Sequence, residues 1–384
     1  MAQLSFAKDA LSTSTDYAAC NPVLGQVSSE LENQFHRRKL LASLRGQTIR
    51  VPDLKPLFSH WPTKTNDGID QMRQDIHKWL DSTVAPGNML AGLQASDFGL
   101  FGATWWPCAP FERLRIVTYL AVWLFTWDDE IDLSDGTMWN EFGAAQSYRE
   151  QTIAYVRYSL GIDVDKPSIE NRIILNFDPI GAAVRGRYTL EQRHMFLKEM
   201  EFFMEMSERE QILRLSGGIA SMEEFWEYRL GSSAVTVCLA LNEFSWDGMD
   251  LPLQFYADGD VRALFRHTNT IISAVNDLLS IKKEIKRDAI DSLIPIIYFR
   301  TNDIQTAVQQ VVAFIENEIK DFDAAAASLI RKYLDAEPAI QNHVHKFIDG
   351  CKYYSTGNLT WSLETDRYGV DHVEDRSGDI VMIL

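Results

Sequence analysis

Three oxygen-bearing side chains stand at even intervals late in the chain. They are Asn276, Ser280 and Glu284, in the run Asn276-Asp277-Leu278-Leu279-Ser280-Ile281-Lys282-Lys283-Glu284. At i, i+4 and i+8 they drift only slowly around one face of a helix of about 3.6 residues per turn, so they form one row. An amide, a hydroxyl and a carboxylate are hard donors. They suit a small hard cation that keeps part of its water or takes phosphate oxygens, magnesium above all. Read alone, the row is equally an ordinary helix with polar residues at helical spacing.

A second acidic group, Asp128-Asp129-Glu130-Ile131-Asp132, precedes the turn residues Ser134-Asp135-Gly136. It closes a helix expected from about Phe111 to Leu133, started by Pro110 with Glu112 in the first turn and apolar on nearly every side through Trp127. Carboxylates at a helix C-terminus oppose the macrodipole, by about 0.3–1 kcal/mol each when exposed, and repel one another. Single acids are common at solvated helix ends, but this many on an apolar helix are better explained by bound cations. Asp128 and Asp132 share a face with Phe125 and Ala121, which makes metal site and apolar wall continuous.

The elements that must hold these groups are helical throughout. Periodicity and punctuation predict helices over about 70–82, 111–133, 147–160, 187–214, 261–286, 291–300, 304–334 and 340–355, with Ser221 and Glu224 as a capping box for another. That last helix is interrupted at Gly231-Ser232-Ser233 before 234–244 resumes. A break in an apolar helix exposes backbone toward a ligand, which makes Ser233 a candidate, and it reads equally as a plain loop. Residues 98–106 are aromatic and glycine-rich, and the stretch from Gly357 to Gly369 opens with a breaker. No strand alternation or internal repeat is present, so the fold class is all-α. Residues 1–50, rich in Ser, Thr, Asn and Gln, are expected to be a flexible N-terminal segment without chemistry, with a helical hint only at 28–44. Residues 51–384 are expected to form a single domain, ending in an ordinary tail from His372.

Composition narrows the function. A formal charge of −17 disfavours nucleic acid or an anionic membrane surface as partner, so cations for an anionic ligand must be supplied locally. Ten Trp and 20 Phe supply an aromatic-lined cavity as well as a core. Cys20, Cys108, Cys238 and Cys351 show no paired spacing, so neither a zinc site nor a disulfide framework is suggested and a reducing cytosol fits. The longest apolar run, 116–127, is too short to span a bilayer, and a soluble cytoplasmic protein, monomer or homodimer, is expected.

With these residues in place, the chain resembles the class I terpene synthases of fungi and bacteria, particularly the fungal sesquiterpene cyclases. Asp128-Asp129-Glu130-Ile131-Asp132 looks like the family's aspartate-rich motif, with Glu130 as a departure. Asn276, Ser280 and Glu284 match its N-D-x-x-S-x-x-x-E motif at every specified position. Arg229, 47 residues before Asn276, is similar to the family's diphosphate-sensing arginine, and Arg367-Tyr368 resembles its C-terminal pair.

The resemblance implies a single antiparallel helical bundle enclosing a deep apolar cavity. It also implies three Mg²⁺ ions, held by Asp128, Asp129 and Asp132 and by Asn276, Ser280 and Glu284, with Asp129 and Asp132 alternatively holding waters or basic residues. Arg229, Lys283, Arg367 and Tyr368 would bind the diphosphate of a prenyl diphosphate, and Asp128, Arg229 and Ser233 would be the catalytic set. Phe125 and Trp361, backed by Phe98 and Phe101, would wall the cavity, although any single ring reads equally as core. The implied reaction is Mg²⁺-dependent ionisation and cyclisation of farnesyl diphosphate to a sesquiterpene, hydrocarbon or alcohol, with release of diphosphate. A diterpene cyclase acting on geranylgeranyl diphosphate is the nearest alternative. A prenyl diphosphate synthase would need a second aspartate-rich motif where Asn276-Asp277-Leu278-Leu279-Ser280 stands. A helical protein that merely binds an isoprenoid diphosphate would show degenerate ligands.

Overall fold

The apolar run builds the helix Phe111–Asp132, around which the computed structural model is arranged. Leu114, Val117, Leu120, Trp123, Trp127 and Ile131 are buried on one side of the helix and Thr118, Val122 and Thr126 on the other. A helix without a polar stripe is stable only when other elements surround it. The structure describes residues 22–132, 138–370 and 378–384, with side chains from residue 32 onward and without that of Asp132. The fold is all-α, and its buried apolar residues form one contiguous cluster from Leu40 to Met382.

The aromatic and glycine-rich segment is itself a helix, Phe98–Trp105, capped by Asp97, whose carboxylate accepts from the Leu100 N–H. It is sandwiched between Phe111–Asp132 and the long helix Pro338–Glu364, and glycines permit both contacts. A Cβ at Gly102 would stand 2.0 Å from Thr118 Oγ1, and one at Gly357 would stand 2.6 Å from the Thr104 carbonyl. The expectation that Gly357 breaks the chain is therefore corrected. Pro338–Glu364 runs straight through it, because close packing against the Thr104 backbone outweighs the modest helix penalty of glycine.

Elsewhere the helices follow the sequence with shifts at their ends. The expected 187–214 helix starts at Leu190, where Thr189 and Gln192 form a capping box, and Asp178–Arg187 is a separate helix before it. Ser221 and Glu224 cap Met222–Ser232, which packs along Leu190–Leu215. Gly259–Leu279 packs between Ile304–Lys332 and Pro338–Glu364.

The chain termini depart most from expectation. Within the expected N-terminal segment, residues 22–50 carry regular structure. Pro22–Leu44 is a helix that buries Leu40 and Leu44, and Thr48–Val51 is a strand. That strand pairs antiparallel with Ile380–Ile383, Thr48 opposite Ile383, in a small sheet the sequence did not announce. Polar composition concealed the apolar positions Leu40 and Leu44, one helical turn apart, that dock the first helix. Residues 1–21 and 371–377 lie outside the described residues. Among the described residues no helix is long and apolar enough to cross a membrane.

Candidate active site

The aspartate-rich end of Phe111–Asp132 and the row on Gly259–Leu279 face one cavity of about 250 Å³. Asp128, Asp129, Asn276, Ser280, Lys283, Glu284, Arg229, Arg367 and Tyr368 all line it, so nine residues singled out from four sequence stretches converge. The side chain of Asp132 lies outside the described residues.

Asn276 and Ser280 are joined by the Ser280 N–H to Asn276 C=O bond at 2.8 Å, and Ser280 and Glu284 by the next at 3.0 Å. The helix is formally divided at Ser280 into Gly259–Leu279 and Ile281–Lys286, yet its hydrogen bonds continue and the row is preserved. Ser280 Oγ donates to Glu284 Oε1 at 2.5 Å. Asn276 Nδ2 donates to the Tyr368 hydroxyl at 2.7 Å, which turns its Oδ1 toward Arg229, whose Nη2 lies 3.0 Å away.

Asp277, one position around the helix, is fully buried and takes Arg229 Nη2 on Oδ1 at 2.7 Å and the Leu293 N–H on Oδ2 at 3.0 Å. Burial works against the Arg229 charge, but Asp277, Glu210 and Glu284 outweigh it and hold the guanidinium's pKa above its ordinary value. Burial and the Asp277 charge push the Glu284 carboxyl up, opposed by hydrogen bonds from Ser280 and Ser292.

Asp129 is engaged by Arg367, Nη2 to Oδ1 at 3.0 Å, with both side chains about nine-tenths buried. Asp129 was expected either in the metal set or holding a basic residue, and here it pairs with Arg367. Asp128 lines the cavity beside it. The Glu130 carboxyl is pushed up by burial and by Asp129. Lys283 lies 5.9 Å from the Tyr368 ring centre, and burial followed by repulsion from Arg367 lowers its pKa to about 7. Burial raises the Tyr368 hydroxyl to about 12.

The apolar part of the cavity is aromatic. Phe101, Trp105, Phe125, Phe203 and Trp361 line it, with Phe101 edge-on to both Trp361 at 5.0 Å and Phe125 at 5.8 Å. Phe98 does not line the cavity. It is buried behind Phe125 and Trp361, 5.0 Å from the first and 5.9 Å from the second, whereas Phe101, expected to back them as well, lines the cavity. The Arg367 guanidinium sits 5.0 Å over the Phe125 ring, which ties polar rim to apolar wall.

The helix break also faces the cavity, through Ser232, Ser233 and Ala234. It falls at Ser233-Ala234 rather than at Gly231, with Ala234 left-handed at φ 56°, and the continuation splits into Val235–Leu239 and Asn242–Ser245. Ser233 Oγ donates to Asn269 Oδ1 at 2.8 Å, and Asn269 Nδ2 donates to the Leu230 carbonyl at 2.6 Å, so a side chain on the neighbouring helix holds the break open.

Sequence reasoning assigned no role to Asp277, Ser292, Asn269 or Trp105. Only Asp277 carried a signal, as an acid at a buried register between Val275 and Leu278.

The donor set fits a divalent cation. Among the described residues no three His, Cys, Asp or Glu side chains gather as a metal site, so an ion here would share amide, hydroxyl and ligand oxygens with one or two carboxylates. That is the habit of magnesium rather than zinc. The buried Nε atoms of Arg229 and Arg367 have no partner within the protein, which leaves donors for an anion.

Residues 119–321, more than half of the chain, match the family described as terpene synthase family 2, C-terminal metal binding. The sesquiterpene cyclase hepA of Aspergillus oryzae is 34% identical over 358 residues, 91% of this chain and 96% of that one. The silphinene synthase peniA of Penicillium patulum is 24% identical over 362 residues, 93% of each chain. A solved cucumene synthase variant superposes with a TM-score of 0.67 at 19% identity, over 80% of this chain and 98% of that one, and supports the fold. Site geometry, family match and relatives agree: the chain belongs to the class I terpene synthases, as an enzyme of the fungal sesquiterpene cyclase type that uses a divalent metal and acts on a prenyl diphosphate.

Proposed function

We infer that the enzyme ionises farnesyl diphosphate with three Mg²⁺ ions and cyclises the C15 chain to a sesquiterpene, releasing diphosphate. The observation that carries this reading is the convergence of Asp128 and the Asn276-Ser280-Glu284 row on one cavity whose lining is part polar and part aromatic. The C15 length is further supported by relatives described as sesquiterpene cyclases.

Asp128 is the candidate ligand from the aspartate helix, and Asn276, Ser280 and Glu284 those from the row. Bound cations would neutralise the charge that grows on the diphosphate as its bond to carbon breaks. Arg229 and Arg367 add donors on two sides of the mouth, each already oriented by a carboxylate, Asp277 and Asp129, so little reorganisation accompanies ionisation. Tyr368 is held by Asn276 and keeps its own O–H to donate. Lys283 stands beside it, and a bound anion there would favour its charged form.

The leaving group is thereby held at the mouth while the hydrocarbon lies against aromatic faces. Phe125, Phe101 and Trp361 attract a cation by about 0.5–2 kcal/mol each where water is excluded, and they offer no nucleophile to quench it. Ser233, at the helix break, borders the same space.

Purified protein incubated separately with the C10, C15 and C20 diphosphates and Mg²⁺, with gas chromatography of the extract, tests this reading. A sesquiterpene from the C15 substrate, absent with chelator, is expected. Cyclised product from the C20 substrate alone, or metal-independent turnover, would refute it.

A further inference from the structure

Two consecutive residues outside the row orient its carboxylate, Glu284, and that of the neighbouring Asp277. Ser292 Oγ donates to Glu284 Oε2 at 2.6 Å, and the Leu293 N–H donates to Asp277 Oδ2 at 3.0 Å. Glu284 thus has one oxygen on Ser280 and the other on Ser292, so its plane is fixed only as well as the loop carrying Ser292 is fixed. That loop follows Ile281–Lys286 and turns at Asp288, whose φ of 63° is left-handed. Its residues Ala289, Asp291 and Ser292 line the cavity.

The loop is held by the N-terminal helix Pro22–Leu44. Arg37 forks onto Asp291 with both Nη atoms, each 2.6 Å from a carboxylate oxygen, and Nη1 also donates to the Gly218 carbonyl at 2.9 Å. Both side chains are only 15% exposed. Arg45, just past the end of the same helix, pairs with Asp288 at the turn. A two-pronged guanidinium–carboxylate contact fixes orientation as well as distance, and at this burial it is little screened by solvent. The path from Arg37 to Asp291, to the adjacent Ser292, to Glu284 is continuous, although 254 residues separate its first two members.

We propose that Arg37 is a positioning residue for the metal-binding row, acting on Glu284 through Asp291 and Ser292, so that the N-terminal helix is part of the active-site architecture. This rests on the reading of Glu284 as a metal ligand. Groups that orient a ligand from behind tune its metal affinity, and nothing in the matched region 119–321 contains this one.

The test is calorimetric titration of Mg²⁺ into the full chain with inorganic diphosphate present, for the parent, Arg37→Ala, Arg37→Lys, Ser292→Ala and Arg37→Ala/Ser292→Ala. Melting in chelator serves as the measure of fold. Ser292→Ala should weaken Mg²⁺ binding roughly tenfold and Arg37→Ala about three- to tenfold, with Arg37→Lys intermediate because it keeps charge but loses the fork. The double variant should be no weaker than Ser292→Ala, since the two act in series.

Unchanged affinity in Arg37→Ala, or losses that multiply in the double variant, would overturn the proposal. Parent protein that takes up no Mg²⁺ would overturn the functional reading and this inference with it. Should Arg37→Ala melt below the assay temperature, the exchanged pair Arg37→Asp/Asp291→Arg is read in its place. Affinity near that of the parent supports the relay, and a loss of tenfold or more in a folded protein overturns it.

Discussion

Arg367 reaches Asp129 at 3.0 Å across 238 residues of sequence, closing the C-terminal segment onto the end of the aspartate-rich helix. The pair gives Asp129 a direct counter-charge, while Asp128 lines the same cavity and adds to the negative charge acting on Arg367. Asp128→Asn should lower turnover roughly 100-fold with an unchanged melting temperature in chelator, as expected of a group whose charge serves the bound cations. Asp129→Asn should instead destabilise the fold by about 3 kcal/mol, the consequence of leaving Arg367 buried without its counter-charge. Steady-state kinetics and thermal melting of both variants check this, and equal loss of stability in the two would contradict the division.

Arg229 and Asp277 form the second buried pair, at 2.7 Å with Asp277 fully inaccessible. Arg229→Met should cost about 3–5 kcal/mol of stability, because an unpaired carboxylate is left in the interior. Adding Asp277→Asn should restore most of that stability without restoring turnover, since the donor to the diphosphate is still missing. Denaturant unfolding alongside product assays separates the two effects. Recovery of activity in the double variant would show that Arg229 serves only the fold.

The aromatic wall gives a prediction about product rather than rate. Phe125 carries the Arg367 guanidinium on its face, and Trp361 is anchored by its Nε1–H to the Ser96 carbonyl at 2.7 Å. Phe125→Leu and Trp361→Leu keep most of the apolar volume and remove the π face, so early-quenched, less cyclised products should increase more than diphosphate release falls. Gas chromatography paired with a diphosphate assay reads both. An unaltered product mixture in both variants would assign these rings to packing alone.

What could be read in advance was what lies close in sequence. Helical spacing placed Asn276, Ser280 and Glu284 on one face, and the end of an apolar helix placed Asp128 at its rim, because both depend on geometry within a few turns. What could not be read depends on tertiary partners. Gly357 looked like a breaker until the Thr104 backbone was seen against it. The strand Thr48–Val51 has its partner at Ile380–Ile383, beyond any local pattern. The N-terminal region hinted at a helix over 28–44 but not that its Arg37 has its counter-ion at Asp291, and the pairing of Asp129 with Arg367 is equally non-local.

The last prediction concerns the order in which the site fills. The chain carries a formal charge of −17, and the acids lining this cavity, Asp128, Asp129, Glu210, Asp277, Glu284 and Asp291, outnumber its bases, Arg214, Arg229, Lys283, Arg287 and Arg367. Mutual repulsion is visible within the site, since the Asp277 charge contributes to raising the Glu284 carboxyl and the Asp129 charge to raising that of Glu130. An anionic ligand entering the metal-free site therefore meets an unfavourable potential, and a cation entering without diphosphate lacks oxygens to complete its shell. Each should improve the affinity of the other by the same coupling free energy, as linkage requires. Calorimetric titration of inorganic diphosphate should show binding at least tenfold tighter with Mg²⁺ than with chelator. Titration of Mg²⁺ with and without diphosphate should return the same factor. Glu284→Gln should shrink the coupling and leave diphosphate binding in chelator unchanged or tighter, because removing that charge relieves the repulsion while also removing a ligand. Equal diphosphate affinity with and without metal would end the case for a shared metal–diphosphate site.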